Sequence, residues 1–256
     1  MSFSIVIIAK NEAENIGRTI QALLPLDKEI LLVDSGSTDD TCKIAEALGA
    51  RILQVEWQGF AQTKNIGNEA AKNKWILSID ADEVISEELQ KSLDNWQAEE
   101  QSVYLLDRMT EYRGKWIRHS GWYPDWKPRL FNKRHCRWEG SHVHEKLVFP
   151  NDFKQKKLTG KLWHYSYKNQ QDHLERMERY TDLSAQKMFA LGKKASTIKA
   201  YASAFARFIR SYLVKRGIMD GRRGLEISCM NARMVFLKYK KLMEMQKNPD
   251  QSSPIK

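Results

Sequence analysis

Phe3-Ser4-Ile5-Val6-Ile7-Ile8-Ala9 is an uncharged run rich in branched side chains, followed at once by Lys10-Asn11-Glu12. Such a run reads as a strand buried on both faces. Working outward, Glu12 to Leu24 sets Ile16, Ile20, Leu23 and Leu24 on one helical face and stops at Pro25. Glu29 to Val33 is a second strand. Ser37 or Thr38 is placed to cap a helix running to Leu48, with Asp39 and Asp40 beside its N-terminal dipole and Gly49 at its end. Arg51 to Val55 (strand), Phe60 to Lys72 (helix) and Trp75 to Ile79 (strand) complete repeated βαβ units. The expected fold class is therefore α/β, a Rossmann-like, mostly parallel sheet flanked by helices. Ligands of such sheets bind at the carboxyl ends of the strands. Those ends carry Lys10-Asn11-Glu12, Asp34-Ser35-Gly36-Ser37-Thr38-Asp39 and Asp80-Ala81-Asp82-Glu83.

The composition agrees with a folded chain. Of 256 residues, 42% are hydrophobic and 29% charged, which excludes collagen-like, mucin-like and disordered classes. No apolar stretch approaches the ~18 to 20 residues that span a bilayer, and the run into Phe3 has no basic leader, so an unexported protein is expected. Cys42, Cys136 and Cys229 are odd in number and widely spaced, which suits a reducing cytoplasm rather than a disulfide framework or a zinc site. The net charge of +10 is unevenly spread: residues 187–247 hold 15 Lys/Arg against 3 Asp/Glu, while residues 1–186 hold 26 against 28.

Residues 100–165 carry five of the eight tryptophans, among them Trp116, Trp122, Trp126, Trp138 and Trp163, and read as short strands and exposed loops with aromatic walls. Gln170 to Lys247 reads as helical, with breaks at Gly192 and from Gly217 to Gly224. The expected division is an α/β domain over 1–168, in two parts, 1–99 and 100–168. A basic amphipathic helical region over 169–247 and a disordered tail over 248–256 follow.

Asp80 and Asp82 form a carboxylate pair at the end of a buried strand, a pattern that suits Mg²⁺ or Mn²⁺ with positions left open for diphosphate oxygens. The bland reading of the same acids is helix capping before Ser86 to Leu93. Asp34 can accept from a base N–H or a ribose hydroxyl, or simply close an Asx turn.

Ser4 to Glu12, Val33 to Thr41, Lys64-Asn65-Ile66-Gly67 and Leu77 to Glu83, in this order and spacing, resemble the family 2 glycosyltransferases. The resemblance implies the GT-A fold, inverting transfer from a nucleotide-diphosphate sugar, and a divalent metal. It assigns Glu12 and Asp34 to the nucleoside, Lys64 to the diphosphate, Asp80 to the ribose or metal, and Asp82 to the metal. Lys64 stands where relatives often carry Arg. Looser matches at Gly121 to Phe131, Trp138 to Glu145, Leu162 to Tyr167 and Gly217 to Gly221 resemble the glucosyltransferases that extend the inner-core heptose of lipopolysaccharide.

Inverting transfer needs a carboxylate to deprotonate the acceptor hydroxyl. The Glu-Asp pair that supplies it in many family members is absent, leaving Asp125 and Glu145 as candidates. Asp125, in an aromatic loop, is slightly favoured because desolvation would raise its basicity; either acid can instead partner Arg129 or Lys146. His144 and His164 are candidates to ligate the metal or steady phosphate. Arg113, Lys115, Arg118, Lys127 and Arg129 can meet acceptor phosphates.

In the basic quarter, Ile198, Tyr201, Ala202, Phe205, Phe208, Ile209, Tyr212 and Leu213 recur at helical spacing. This apolar stripe is expected to pack on the catalytic domain, leaving the basic face for peripheral contact with the anionic inner face of the cytoplasmic membrane. The expected function is transfer of a hexose, glucose from UDP-glucose, to a heptose of a lipid-linked core oligosaccharide. The alternatives are another acceptor (polyprenyl phosphate, another glycan or a peptide) and, from a different class, a nucleic-acid binder built on the basic segment. The ordered donor motifs argue against nucleic acid as a partner.

Overall fold

A computed structural model describes residues 2–140, 145–167 and 170–247. Strand β1 (Phe3–Ala9) lies between β2 (Glu29–Asp34) and β4 (Trp75–Asp80), with β3 (Arg51–Gln54) outside β2, all parallel. Alternation along β1 feeds two cores. Phe3, Ile5 and Ile7 pack with Ile16, Ile20 and Leu23 of helix α1 (Ala13–Leu23), and Val6 packs with Leu31, Val33 and Ile76 on the opposite face. Leu24 belongs to neither core and is exposed, because the chain turns into a 3-10 segment at Pro25.

Helix α2 (Thr41–Ala47) starts later than expected, at Asp40, with no side-chain cap. Ser37 and Thr38 do not cap it because the Asp34 loop claims them. Ser37 Oγ donates to Asp34 and accepts from Asn11 N at 2.9 Å, while Thr38 N donates to Asn11 Oδ1 at 2.8 Å. Helix α3 (Phe60–Ala70) lies tight on the sheet through Gly67, where a Cβ would sit 2.5 Å from Val33 Cγ2 and 2.7 Å from Val6 Cγ1.

The middle of the chain departs from the short strands and loops expected. Beyond β4 the sheet continues antiparallel through β8 (Asp125–Asn132) and β6 (Ser102–Tyr112), then through β11 (Lys154–Tyr167) and β5 (Glu83–Ile85). Charged residues spaced along these strands hide their length from a periodicity reading. Helix α4 (Glu87–Asp94) is capped by Ser86, whose Oγ accepts from Leu89 N at 3.2 Å and from Lys161 N at 2.9 Å. Strands β9 (Arg137–Glu139) and β10 (Lys146–Val148) form a separate hairpin, fixed to α3 by reciprocal bonds between Asn65 and the Trp138 backbone at 2.9 and 3.0 Å.

The chain forms two compact units, one of residues 1–109 with 125–165, the other of Thr110–Pro124 with the chain from Ser166 onward. The second contains α5 (Gln170–Ala190), α6 (Thr197–Ile209) and α7 (Gly221–Lys247); the break at Gly192 is as expected, while the other falls earlier than expected, before Gly221, so that Gly221 to Gly224 open α7. Between α6 and α7 the chain makes a π turn (Arg210–Val214) and a 3-10 turn (Gly217–Asp220). The buried Asp220 carboxylate accepts from Arg118 N at 3.2 Å and His119 N at 2.9 Å, and pairs with His119 Nδ1 at 3.1 Å. Gly224 has no room for a side chain: its Cβ would lie 1.7 Å from Gly217 O.

The α6 stripe is not covered as expected. Ala200 and Ser211 are the buried positions on this stretch, while Ile198, Tyr201 and Phe205 face solvent. Small residues on the inner side let α6 lie against α7, where Tyr201 meets Phe236 at a ring-centroid distance of 5.0 Å, and Phe208, Ile209 and Tyr212 are half-buried. Among the described residues no helix is long and apolar enough to cross a membrane, and Cys42, Cys136 and Cys229 are unpaired. The tail at 248–256 lies outside the described residues.

Candidate active site

The carboxyl ends of β1, β2 and β4 bring together the loops singled out by sequence. Glu12 is the N-cap residue of α1; its N donates to Thr41 Oγ1 at 2.8 Å, and its Oε2 accepts from Asn15 Nδ2 at 2.7 Å. Asp34, buried at the end of β2, accepts from Gly36 N at 3.1 Å and Ser37 N at 3.0 Å. Its first visible role is to fold its own loop, and its carbonyl holds Val55 N at 2.9 Å.

Asp80 ends β4. Its Oδ1 lies 3.0 Å from Lys64 Nζ and its Oδ2 lies 2.6 Å from Arg129 Nη2. Burial pushes the Asp80 carboxyl up, but Arg129 and Lys64 outweigh it and hold the group well below the usual carboxylate range. Burial likewise opposes charge on Arg129, and Asp80 and Glu83 reverse that effect and raise its pKa. Lys64, almost fully buried on α3, also lies 3.3 Å from Glu145 Oε1, with its Nζ 4.6 Å from the centre of the Trp138 ring.

Glu83 is the residue that sequence reading missed. It is fully buried on β5, accepts from Asp80 N at 3.0 Å, contacts Arg129 and lies 3.5 Å from Arg108 Nη1. In the sequence Glu83 reads as one more acid of the loop after β4, and nothing in Glu83-Val84-Ile85 marks it as buried. Arg129 pairs with Asp80 and Glu83 rather than with Asp125 or Glu145, and is a buried clamp between β4, β5 and β8.

Asp125 is at the start of β8, bound by Arg108 Nη2 at 2.7 Å and Lys127 Nζ at 3.0 Å. Burial raises its pKa, but Arg108 and Lys127 more than offset it, so the net direction is downward. The rise in basicity expected for Asp125 is therefore not found. Lys127 is occupied by Asp125, Arg113 by Glu226 at 3.1 Å, and Lys115 by the Asp220 carbonyl at 2.9 Å. Arg118 is exposed.

The result is one continuous row of alternating charge: Asp125, Arg108, Glu83, Arg129, Asp80, Lys64, Glu145. It joins both candidate bases to the Asp-x-Asp strand. Beside it, Asp82 Oδ2 lies 3.4 Å from His164 Nε2, a pair fixed by the antiparallel register of β5 and β11 and by Tyr165 N donating to Asp82 O at 2.9 Å. Among the described residues no group of three or more His, Cys, Asp or Glu converges on one point. His144 lies outside the described residues.

Residues 4–154 match the model of the family described as Glycosyl transferase family 2. The chain belongs to that family, and its sheet, parallel on the donor side and antiparallel beyond β4, is the GT-A architecture the resemblance implied. An uncharacterized glycosyltransferase of Rickettsia bellii is 32% identical over 94% of this chain and 86% of its own length. The lipopolysaccharide core biosynthesis glycosyltransferase LpsC of Rhizobium meliloti is 26% identical over 83% of this chain and 81% of its own. Among solved structures, glucosyl-3-phosphoglycerate synthase from Mycobacterium tuberculosis, in complex with Mn²⁺, UDP and glucosyl-3-phosphoglycerate, is 27% identical over 43% of this chain and 44% of that one, with a TM-score of 0.35.

Proposed function

We propose that this glycosyltransferase moves a hexose, glucose from UDP-glucose, onto a heptose of the lipopolysaccharide inner core, with inversion at the anomeric carbon. The observation that carries the reading is the row of charges at the end of β4, which ties a candidate base to the Asp-x-Asp pair within a family 2 chain. Similarity to LpsC along most of both chains supports the acceptor class.

Glu12 and Asp34 hold the nucleoside, and Lys64 meets the diphosphate. Asp82 and His164 fit a divalent cation: a carboxylate and an imidazole side by side, with further positions for phosphate oxygens, are ligands that Mg²⁺ or Mn²⁺ accepts. Asp80 has two cationic partners already and contributes less to that set. When bound, the ion neutralises charge on the leaving diphosphate.

Glu145, partly exposed beside Lys64, is the base we assign in place of Asp125, which two cations hold. It removes the proton of the acceptor hydroxyl as that oxygen bonds to the anomeric carbon. The bond from that carbon to the diphosphate oxygen breaks on the opposite face, and UDP leaves with the electron pair. A lipid-linked acceptor puts the protein at the cytoplasmic face of the inner membrane, and the positive charge of residues 187–247 supports peripheral contact there.

The test is turnover of a panel of nucleotide sugars with heptose-containing core as acceptor and Mn²⁺ or Mg²⁺ present. Acceptor-dependent UDP release with a hexose mass gain, lost in Asp82→Ala, is the expected result. Donor hydrolysis or binding without transfer to any heptose acceptor would overturn the acceptor assignment.

A further inference from the structure

Large apolar side chains exposed on the described surface are concentrated in one stretch. On α6, Ile198 is 83% exposed, Tyr201 62% and Phe205 68%; in the turns that follow, Leu213, Val214, Ile218 and Met219 are also exposed. Ile198, Tyr201 and Phe205 recur at the spacing that shares one face of a helix. Ile198 and Phe205 are turned to solvent and Tyr201, still mostly exposed, borders α7 with its ring 5.0 Å from that of Phe236, while the buried positions of this stretch are Ala200 and, in the turn after α6, Ser211. Scattered apolar residues on a surface need no explanation, but a helix that presents its large apolar side chains outward has an unmet partner.

The charge of the same stretch selects the partner. Residues 187–225 hold ten Lys/Arg and one acid, Asp220, and that acid is buried under the Arg118–Ser120 backbone. A second copy of the chain would bring two strongly positive faces together, so self-association through this surface is opposed. An anionic lipid surface meets both demands, since its headgroups pair with Lys199, Arg207, Arg210, Lys215 and Arg216 while its acyl boundary takes the apolar side chains.

We infer that α6 lies in the plane of an anionic membrane surface and inserts Ile198, Tyr201 and Phe205 below the headgroups, with the turn at Leu213 and Val214 beside it. This deepens the membrane contact proposed above and rests on that reading for which membrane is met. It differs in mechanism: the contact is held by apolar insertion as well as by charge.

The experiment is sedimentation of the full chain with phosphatidylcholine vesicles, with and without phosphatidylglycerol, at low and high salt. The expected result is binding to the anionic vesicles that survives in part at high salt, and a fall of about tenfold or more in partition for I198S/F205S. Both substituted residues are exposed, so the thermal transition of the variant stays at that of the parent. Equal binding of variant and parent, or parent binding abolished by salt, would overturn the inference, as would a parent dimer that the variant converts to monomer. Turnover on a delipidated, water-soluble acceptor separates this inference from the proposed function. Loss of vesicle binding with turnover intact removes the insertion alone, and vesicle binding without turnover leaves insertion standing while the catalytic reading falls.

Discussion

Arg129 shares one guanidinium nitrogen between two carboxylates, Nη2 lying 2.6 Å from Asp80 Oδ2 and in contact with Glu83 Oε1. Three strands, β4, β5 and β8, are thereby joined at the point where the Asp-x-Asp sequence leaves the sheet. Breaking a buried pair of this kind leaves an uncompensated charge, at a cost of roughly 3 to 5 kcal/mol. Arg129→Met is therefore expected to lower stability by about that amount in urea titration. Lys127→Met, at a more exposed pair, is expected to cost about 1 kcal/mol or less.

Acid stability follows from the same contacts. The Asp80 carboxyl is held well below its ordinary 3.8 in the folded chain, so its stabilising effect is complete above that value and is lost as pH falls through the folded-state pKa. Asp125, also lowered, acts in the same direction. Asp80→Asn is expected to flatten the fall in stability on the acid side of about pH 4, as read by chemical denaturation across a pH series. An unchanged slope would show that the pair is not coupled to folding.

Catalysis by Glu145 and by Asp125 makes different demands on kinetics. Glu145→Gln is expected to lower kcat by about 10² to 10⁴, the usual contribution of a general base, with UDP binding retained. Asp125→Asn removes a partner of Arg108 and Lys127 and is expected to lower stability more than kcat. Reversal of the two kcat effects would return the role of base to Asp125.

His164 offers a direct check on the cation. Loss of Asp82 is expected to abolish metal-dependent turnover, whereas His164→Ala is expected to weaken Mn²⁺ affinity by about 10- to 100-fold, measured by paramagnetic resonance of the free ion. Mn²⁺ affinity unaltered by either change would move the metal elsewhere.

In the helical unit, Gly224→Ala puts a methyl carbon 1.7 Å from Gly217 O, a clash with backbone that cannot move aside cheaply. The expected loss is about 3 kcal/mol, at or above the usual range for overpacking. Calorimetry should register it in the transition of the helical unit.

The parallel half of the sheet was legible because β1 and the interiors of β2 and β4 are uncharged runs separated by helices of matching period. Helix α2 was misread at its start because Asp34 binds Ser37 before Ser37 can serve a helix. Strands β6 and β11 were obscured by Asp107, Arg108 and Lys161, whose charges are paired in three dimensions with partners far along the chain. Asp80 and Lys64 could be found from loop position and motif. Glu83 could not, since nothing local tells a buried acid from a solvated one when its partners Arg108 and Arg129 come from other strands. The exposed face of α6 was misjudged for a related reason: periodicity gives the face of a helix but not the side on which its neighbour lies.

The row from Asp125 to Glu145, with Lys127 at its end, is electrically closed: Asp125, Glu83, Asp80 and Glu145 are matched by Lys127, Arg108, Arg129 and Lys64. An arriving diphosphate finds no surplus of positive charge in it. Such a ligand must either carry its own countercharge or take Lys64 away from Asp80 and Glu145. That exchange of partners would leave Asp80 to Arg129 alone and free Glu145 from Lys64 at the moment the donor is seated, so occupancy of one substrate site would itself arm the group that acts on the other.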